Sequence, residues 1–264
     1  MRKDVALISS GRMMMHLVCG GALLASCLAP RPASADENTL WYIVNEQCVP
    51  DQKQFQSPKP CAQVDLAAGY VVLKDSVGNT QFLVMPTARI TGIESREILA
   101  PNAPNYWDAA WRARHFVEER ARHQLPRDAI GLAINSVSAR SQNQLHIHVD
   151  CMRLDVTAAL RAHAGAIGTG WAKFPERLAG HDYMAMRIEQ AELGAANPFV
   201  LLADNLNGAR ADMGHYTLVV VGASMQGKDG FVVLAGHATP ATGNWGAGEQ
   251  LQDHACAAAT AASR

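Results

Sequence analysis

Two histidines separated by one residue, His146 and His148, have the residue type and spacing best suited to chemistry in this sequence. They lie in residues 144–151, where polar and apolar residues alternate. Because successive side chains of a β-strand point to opposite faces, Gln144, His146, His148 and Asp150 are predicted to share one face. The apolar residues between them would face the core, so the pattern predicts two imidazoles within reach of each other.

The residues of this strand admit more than one interpretation. Histidines at i and i+2 can chelate zinc if a third ligand joins them, for example His181 or His215, with Asp150 supporting the ligands. That interpretation leads to an exported zinc-dependent hydrolase. Alternatively, the two histidines lie on a solvated strand face and have no function, since the His-x-His pattern is not specific by itself.

The segments around the histidines predict the elements that position them. Hairpin-like strands are expected at residues 70–73 and 82–85, with a turn at Gly78 and Asn79. Asn105 is suited to cap one long helix over residues 106–123. Further strands are predicted at residues 129–135, 144–151, 183–188, 216–221 and 231–235, and further helices at residues 39–47, 155–163, 198–205 and from Gly248 through Cys256. This order predicts an α+β fold with a mostly antiparallel sheet.

The composition is that of a globular chain. Of 264 residues, 48% are apolar and 18% are charged, and the formal net charge is −1. Disordered chains have fewer apolar residues or a larger net charge, and nucleic-acid-binding proteins usually have a strong basic excess. We therefore expect a folded protein that does not bind nucleic acid.

The first 35 residues have the pattern of a secretory leader. Basic residues at Arg2, Lys3 and Arg12 precede an uncharged apolar stretch over residues 13–29, and Ala33-Ser34-Ala35 has the small-x-small form of a cleavage site. Residues 36–264 show no repeat, linker or internal boundary and are predicted to form a single exported domain.

The leader can end in three ways. Cleavage after Ala35 would release the domain. Leu24-Ala25-Ser26-Cys27 resembles a bacterial lipoprotein box, in which Cys27 would be lipidated. The apolar stretch could also remain as an anchor, although it is shorter than the roughly 20 residues that a spanning helix needs. All three place the domain outside the cytoplasm.

Export leaves four cysteines in the domain: Cys48, Cys61, Cys151 and Cys256. In an oxidising compartment these four can pair in three ways. A bridge between Cys48 and Cys61 would close the shortest loop, and Cys151 would then join Cys256. A zinc site is the alternative, but no C-x-x-C spacing supports it.

Dispersed motifs resemble one enzyme family. Residues 144–149, with the pattern Gln-Φ-His-Φ-His-Φ (Φ is apolar), are similar to the histidine triad His-Φ-His-Φ-His-Φ of nucleotide hydrolases and transferases. More closely, residues 38–256 resemble the bacterial CDP-diacylglycerol pyrophosphatases. The resemblance is carried by Glu46-Gln47-Cys48, Pro60-Cys61, residues 69–75, Met85-Pro86-Thr87, residues 133–136, Gln142-Asn143, His146-Ile147-His148, residues 180–183 and Gln252-Asp253-His254-x-Cys256.

The resemblance implies a histidine-triad-like fold and hydrolysis of CDP-diacylglycerol to CMP and phosphatidate, without a metal or other cofactor. His146 would attack the phosphorus nearest cytidine and form a cytidylyl-histidine. His148 would hydrogen-bond the phosphoryl oxygens, and Gln144 and Asn143 would position them. Candidate substrate contacts are Asn143, Asn135, Ser136, Arg89, Lys74 and His181.

The resemblance also implies a cellular setting. The substrate is a lipid nucleotide, so the expected partners are CDP-diacylglycerol and the membrane surface, and the expected process is phospholipid metabolism and lipid biosynthesis. The domain would act at the periplasmic face of the bacterial inner membrane.

This chain departs from the wider superfamily at two positions. Gln144 replaces the first histidine of the triad, and Arg89 stands where a histidine is usual and would add a permanent positive charge near the substrate. Because the first histidine is missing, a non-catalytic periplasmic nucleotide- or lipid-binding protein is the remaining alternative.

Overall fold

A computed structural model describes residues 36–225 and 227–261 of the chain. The predicted leader, with Cys27 and the cleavage site after Ala35, lies outside the described residues. The described strands are β1 Gln63–Asp65, β2 Tyr70–Lys74, β3 Phe82–Pro86, β4 Ile130–Ile134, β5 Ile147–Cys151, β6 Ala172–Lys173, β7 Met184–Ile188, β8 Tyr216–Met225 and β9 Lys228–His237. They form one antiparallel sheet in the order β1-β2-β3-β5-β4-β8-β9-β7-β6, which confirms the predicted sheet type.

The helices are short. They are α1 Thr39–Tyr42, α2 Val49–Phe55, α3 Tyr106–Arg112, α4 Arg114–Ala121, α5 Leu154–Ala162, α6 Pro198–Asn205 and α7 Ala257–Ala261. A π-helical turn, Ile43–Cys48, joins α1 to α2. Among the helices described, none has the length and apolar character needed to cross a membrane.

One face of the sheet carries the main hydrophobic core. Helix α3 buries Trp107 and Trp111 in this core, and Phe199 of α6 packs beside Trp107. Leu145, Ile147 and Val149 belong to the same core, so the apolar residues of the histidine segment face inward as the alternation predicts.

The opposite face of the sheet is covered in two separate places. The helical segment from α1 to α2 packs Val44 and Cys48 over β2 and β3, against Leu83 and Met85. Helix α5 and its neighbours cover β4, β8 and β9. Between these covers lies β5, whose His148 pairs in register with Leu83 on one side and Ala133 on the other. The histidine side of β5 therefore faces the gap between the two covers.

Two disulfides join the pairs that the sequence favours. Cys48 and Cys61 are bridged with a Cα–Cα distance of 5.6 Å, and Cys151 and Cys256 with a distance of 5.2 Å. The first bridge ties the end of the π-helical turn to the loop just before β1, and the second ties the end of β5 to the C-terminal segment.

The prediction of one long helix over residues 106–123 is wrong. The chain forms α3 and α4 with Ala113 between them, where ψ opens to −7°. The guanidinium of Arg114 donates a hydrogen bond to the carbonyl oxygen of Trp111 at 2.8 Å, and this bond satisfies an acceptor where the helix breaks.

The prediction of a helical tail from Gly248 is also wrong. A 3₁₀ turn, Gly248–Leu251, is followed by an extended stretch, and α7 begins only after Cys256. Residues 248–256, here called the C-terminal segment, bind the sheet instead. The amide of Gln252 donates to the carbonyl oxygens of Gly131 and His148, and the N–H of Asp253 donates to that of Cys151.

Other boundaries differ more modestly from the predicted ones. Strand β8 continues to Met225 and strand β9 begins at Lys228, so both are longer than predicted. Helical structure continues from Thr39 to Phe55 rather than ending at Gln47. Pro50 has no N–H to donate, which the interior of an α-helix would not tolerate. It lies in the first turn of α2, directly after the π-helical turn, where its missing N–H breaks no α-helical bond. Strand β5 begins at Ile147, so Gln144 and His146 lie in the loop that leads into the strand.

Candidate active site

The gap above β5 is a cavity of about 820 Å³. Its lining includes both His146 and His148, together with residues from the helical cover, the loop after β2 and the C-terminal segment. Both histidines are buried, with 7% and 5% of their surface exposed. They therefore do not lie on a solvated strand face, and a ligand in the cavity can contact them.

His146 is held in one tautomer. Its Nδ1 lies 2.6 Å from the backbone carbonyl oxygen of Gln144. Since a carbonyl oxygen can only accept, Nδ1 carries the proton and Nε2 carries the lone pair. Burial, followed by the neighbouring charge of His148, lowers the pKa of His146 to about 4. At neutral pH the ring is therefore uncharged, with a nucleophilic nitrogen available.

His148 faces the same cavity with its ring centroid 4.9 Å from that of His146. The side-chain amide of Gln81 contacts its Nδ1. Gln81 therefore holds the ring of His148 through Nδ1. The Nε2 of the same ring is buried and has no hydrogen-bond partner in the described part of the chain. Burial lowers the pKa of His148 to about 4, so the ring is uncharged at neutral pH.

A carboxylate from the C-terminal segment approaches the same ring. Oε2 of Glu249 lies 3.3 Å from Nδ1 of His148. The other oxygen of Glu249 accepts a hydrogen bond from Nδ2 of Asn135 at 3.0 Å. Asn135 stands just beyond β4, is buried, and lines the cavity. Asn135 thus orients Glu249 beside His148.

Asp150 does not point into the cavity as a free carboxylate. Its Oδ1 accepts hydrogen bonds from Thr80 Oγ1 at 2.6 Å and from the N–H of Cys151 at 2.8 Å. Its Oδ2 accepts from Nδ1 of His254 at 2.8 Å. His254 itself lines the cavity. The buried Asp150 therefore anchors a third histidine at this site.

The side chain of Gln144 binds the backbone of a neighbouring segment rather than facing the cavity. It is fully buried, and its Nε2 donates to the carbonyl oxygens of Pro86 and Ala88 at 2.9 and 3.0 Å. The side chain does not line the cavity. Gln144 fixes the chain that supplies the carbonyl to His146, and so it acts on the histidine through the backbone.

The remaining predicted contacts divide into two groups. Lys74 and Asn135 line the cavity. The Nζ of Lys74 donates to the carbonyl oxygens of Asp75 and Gly78 at 2.6 and 3.0 Å, and burial lowers its pKa. The other four predicted residues, Asn143, Ser136, Arg89 and His181, do not line this cavity.

Each of these four has another partner or place. Asn143 accepts a hydrogen bond from Arg140, and Ser136 donates to the carbonyl oxygen of Trp245. Arg89 contacts Asn38 and lies with its guanidinium 5.4 Å from the ring centroid of Trp41. His181 lines a separate cavity of about 390 Å³.

The zinc interpretation needs a third ligand near the histidine pair. Across residues 36–225 and 227–261, no group of three or more His, Cys, Asp or Glu side chains is placed to hold a metal ion. His215, one suggested ligand, instead binds Asp212, which also accepts a hydrogen bond from His237.

The cavity has an apolar wall beside its polar one. The apolar side chains come from the helical cover, from the loop between α2 and β1, and from β2, β3 and the loop between them: Leu40, Ile43, Pro60, Leu73, Val77 and Leu83. Val77 is 56% exposed at the surface. The site therefore combines two histidines with a surface suited to an apolar group.

Sequence reasoning missed three residues of this site: Gln81, Glu249 and His254. His254 could have been found, because it stands two residues before Cys256, and the predicted partner Cys151 directly follows Asp150. A Cys151–Cys256 bridge brings these neighbours together. No sequence signal distinguishes Gln81 or Glu249 from other polar residues.

Comparison with known proteins points to one family. The family model for CDP-diacylglycerol pyrophosphatase matches residues 35–260. A CDP-diacylglycerol pyrophosphatase from Yersinia pestis is 40% identical over 234 residues, which cover 89% of this chain and 90% of that protein.

Proposed function

The chain belongs to the CDP-diacylglycerol pyrophosphatase family, a family of hydrolases, and we propose that its histidine cavity cleaves the pyrophosphate of CDP-diacylglycerol to CMP and phosphatidate. The observation that carries this proposal is the state of His146. A neutral imidazole with Nδ1 bound to a carbonyl presents the lone pair of Nε2 to a ligand in the cavity.

The reaction proceeds in two displacements. Nε2 of His146 attacks the phosphorus nearest cytidine, the bond to the bridging oxygen breaks, and phosphatidate leaves. Water then attacks the cytidylyl-histidine and releases CMP. Splitting the reaction in this way replaces one difficult displacement by two easier ones.

His148 stabilises the charge that develops on the phosphoryl oxygens. Its Nε2 is buried beside the ring of His146 and has no hydrogen-bond partner among the described residues, so we assign it as the donor to the phosphoryl oxygen. Such preorganised donors are a large source of catalysis. Lys74 adds a positive charge at the same cavity, and Asn135 keeps Glu249 in place. Gln144 contributes by holding the backbone that orients His146.

The apolar wall supports a lipid-linked substrate. CDP-diacylglycerol has a polar nucleotide and an apolar diacylglycerol on the two sides of the cleaved bond. The cavity likewise places Ile43, Leu73 and Val77 beside the histidines. We propose that this wall receives the glycerol end of the lipid at the membrane surface and that the enzyme serves phospholipid metabolism.

The remaining parts of the proposal concern fold and location. A histidine-triad-like fold accounts for an antiparallel sheet whose motif strand, β5, lies between β3 and β4 and presents its histidines on one face. Residues 1–35 would be the leader and residues 36–264 the catalytic domain at the periplasmic face of the inner membrane. The two disulfides are consistent with export.

Product analysis tests the proposal directly. Wild-type protein and His146→Ala are incubated with CDP-diacylglycerol in detergent micelles, with and without EDTA, and CMP and phosphatidate are quantified. We expect both products from wild type, none from His146→Ala, and no effect of EDTA. Binding without turnover would support the non-catalytic alternative, and loss of turnover in EDTA would support a zinc enzyme.

A further inference from the structure

A third histidine, supplied by the C-terminal segment, completes the site. We propose that His254 transfers the protons of the reaction, as general acid toward the departing phosphatidate and as general base toward water, with Asp150 as its positioning residue. This inference rests on the proposed function, since it assigns a role within that reaction.

The geometry leaves one nitrogen of His254 for a ligand. Nδ1 donates to Oδ2 of Asp150 at 2.8 Å, so Nε2 is the nitrogen that can meet substrate or water. The side chain of His254 is 31% exposed and lines the same cavity as His146 and His148, whereas that of Asp150 is fully buried. A buried carboxylate behind an accessible imidazole is the arrangement that fixes a histidine for proton transfer.

The fold holds this pair in place from both sides. Cys151 follows Asp150, Cys256 lies two residues after His254, and a disulfide joins them. The N–H of Asn79 donates to the carbonyl oxygen of His254 at 3.1 Å. Gly78 packs so closely that a Cβ there would lie 2.6 Å from Cβ of His254. His254 is therefore fixed relative to β5, although 104 residues separate it from Asp150.

The three histidines divide into two protonation classes. Burial lowers the pKa of His146 and His148 to about 4, whereas the hydrogen bond to Asp150 raises the pKa of His254. A site that separates its groups in this way holds a neutral nucleophile and a charged acid at the same pH. The titratable or charged groups around His254 are Asp150, Glu249, Asp75, Lys74 and His148.

His254 gives up one proton and regains one proton in each turnover. As the bond between the cytidine-side phosphorus and the bridging oxygen breaks, that oxygen takes the proton from Nε2 of His254. The now neutral His254 then removes a proton from the water that attacks the cytidylyl group. The bond from phosphorus to Nε2 of His146 breaks, CMP leaves, and His254 is protonated again.

The test uses the full-length protein and CMP release from CDP-diacylglycerol across pH. His254→Gln keeps an amide donor toward Asp150, and we expect it to lower kcat by about 100-fold or more while KM changes little. It should also lose the basic limb of the pH profile, and free imidazole should restore part of kcat. Asp150→Asn should move the basic limb to lower pH, because the carboxylate raises the pKa of His254.

His163→Gln is the matched control. His163 also faces a carboxylate, with Nε2 3.4 Å from Glu176, and its side chain is 35% exposed, but it does not line the cavity. It should retain wild-type kinetics. Thermal unfolding of each variant shows whether it is folded.

Two results would overturn the inference. One is a kcat of folded His254→Gln within about threefold of wild type, far below a general acid–base contribution. The other is a large loss that imidazole does not rescue and that leaves the basic limb intact. Failure of the proposed function would look different, because wild type would then release no CMP or His146→Ala would remain fully active.

Discussion

Asn135 donates a hydrogen bond from Nδ2 to Oε1 of Glu249 at 3.0 Å, and this bond sets the carboxylate beside the ring of His148. The two residues are 114 positions apart. One stands at the end of β4 and the other in the C-terminal segment, so their contact joins the sheet to the chain that closes the site.

Asn135→Ala should impair catalysis by releasing Glu249. A hydrogen bond to a charged group contributes about 1.5 kcal/mol, which corresponds to about a tenfold loss in kcat/KM. Glu249→Gln removes a charge that raises the pKa of His146, so the acid limb of kcat/KM should move to lower pH. Steady-state kinetics across pH measure both effects. Asn244→Ala is the control, because Asn244 donates to the carbonyl oxygen of His237 at 3.0 Å and does not line the cavity. Equal losses in Asn135→Ala and Asn244→Ala would contradict the assignment.

The buried histidines should make the fold sensitive to acid. An unfolded histidine titrates near pH 6.5, whereas the folded pKa of His146 and His148 is about 4. Below pH 6.5 the unfolded state therefore binds protons that the folded state does not. The free energy of unfolding should fall between about pH 6.5 and pH 4, by at most about 3 kcal/mol per histidine.

Urea unfolding at pH 7 and pH 4.5 checks this dependence. The double variant His146→Gln/His148→Gln should lose several kcal/mol less than wild type on acidification, by the same linkage. His163→Gln should keep the wild-type dependence. His254 acts in the opposite direction, since its raised pKa contributes stability that is present below its unfolded pKa and lost as pH rises through its folded pKa. An unchanged acid dependence in the double variant would refute the prediction.

The two disulfides should differ in their effect on activity. In a chain-entropy description, a bridge that closes 13 residues contributes about 3 kcal/mol and one that closes 105 residues contributes about 4.7 kcal/mol. The pair Cys151→Ser/Cys256→Ser should therefore lose more stability than Cys48→Ser/Cys61→Ser. At a temperature where both variants are folded, Cys151→Ser/Cys256→Ser should also have the lower kcat, because its bridge flanks Asp150 and His254. Equal kcat values in the two double variants would show that this bridge does not position the site.

Val77→Ser should weaken binding of the lipid substrate without changing the rate of the chemical step. The substitution removes apolar surface from the wall of the cavity and should cost about 1 kcal/mol, or roughly fivefold in KM for CDP-diacylglycerol in vesicles. Turnover of a water-soluble CDP-alcohol without acyl chains should be unchanged. Val137→Ser is the matched control, since Val137 is 44% exposed but does not line the cavity. Equal KM shifts in both variants would argue against a lipid wall.

Local pattern was enough to predict much of this protein. The alternation around His146 and His148 places Leu145, Ile147 and Val149 in the core and both histidines in the cavity, because strand geometry depends on neighbouring residues alone. The antiparallel sheet and the two disulfide pairings were predictable for similar reasons, from hairpin signals and from the short loop between Cys48 and Cys61. The resemblance to the family likewise depends on motifs that are visible in the chain.

Other features depend on contacts between distant segments, which no local pattern encodes. The tail from Gly248 has a helix-forming composition, but Gln252 donates to the backbone of β4 and β5 and the N–H of Asp253 donates to the carbonyl oxygen of Cys151. These bonds hold the segment against the sheet rather than in a helix. The predicted role of Gln144 requires its side chain to reach the cavity. The side chain instead donates hydrogen bonds to the carbonyl oxygens of Pro86 and Ala88. The sequence thus determined where the histidine pair lies and which face it occupies. Only the tertiary structure decided that Glu249 and His254 join that pair, because their positions follow from the way the C-terminal segment packs across the sheet.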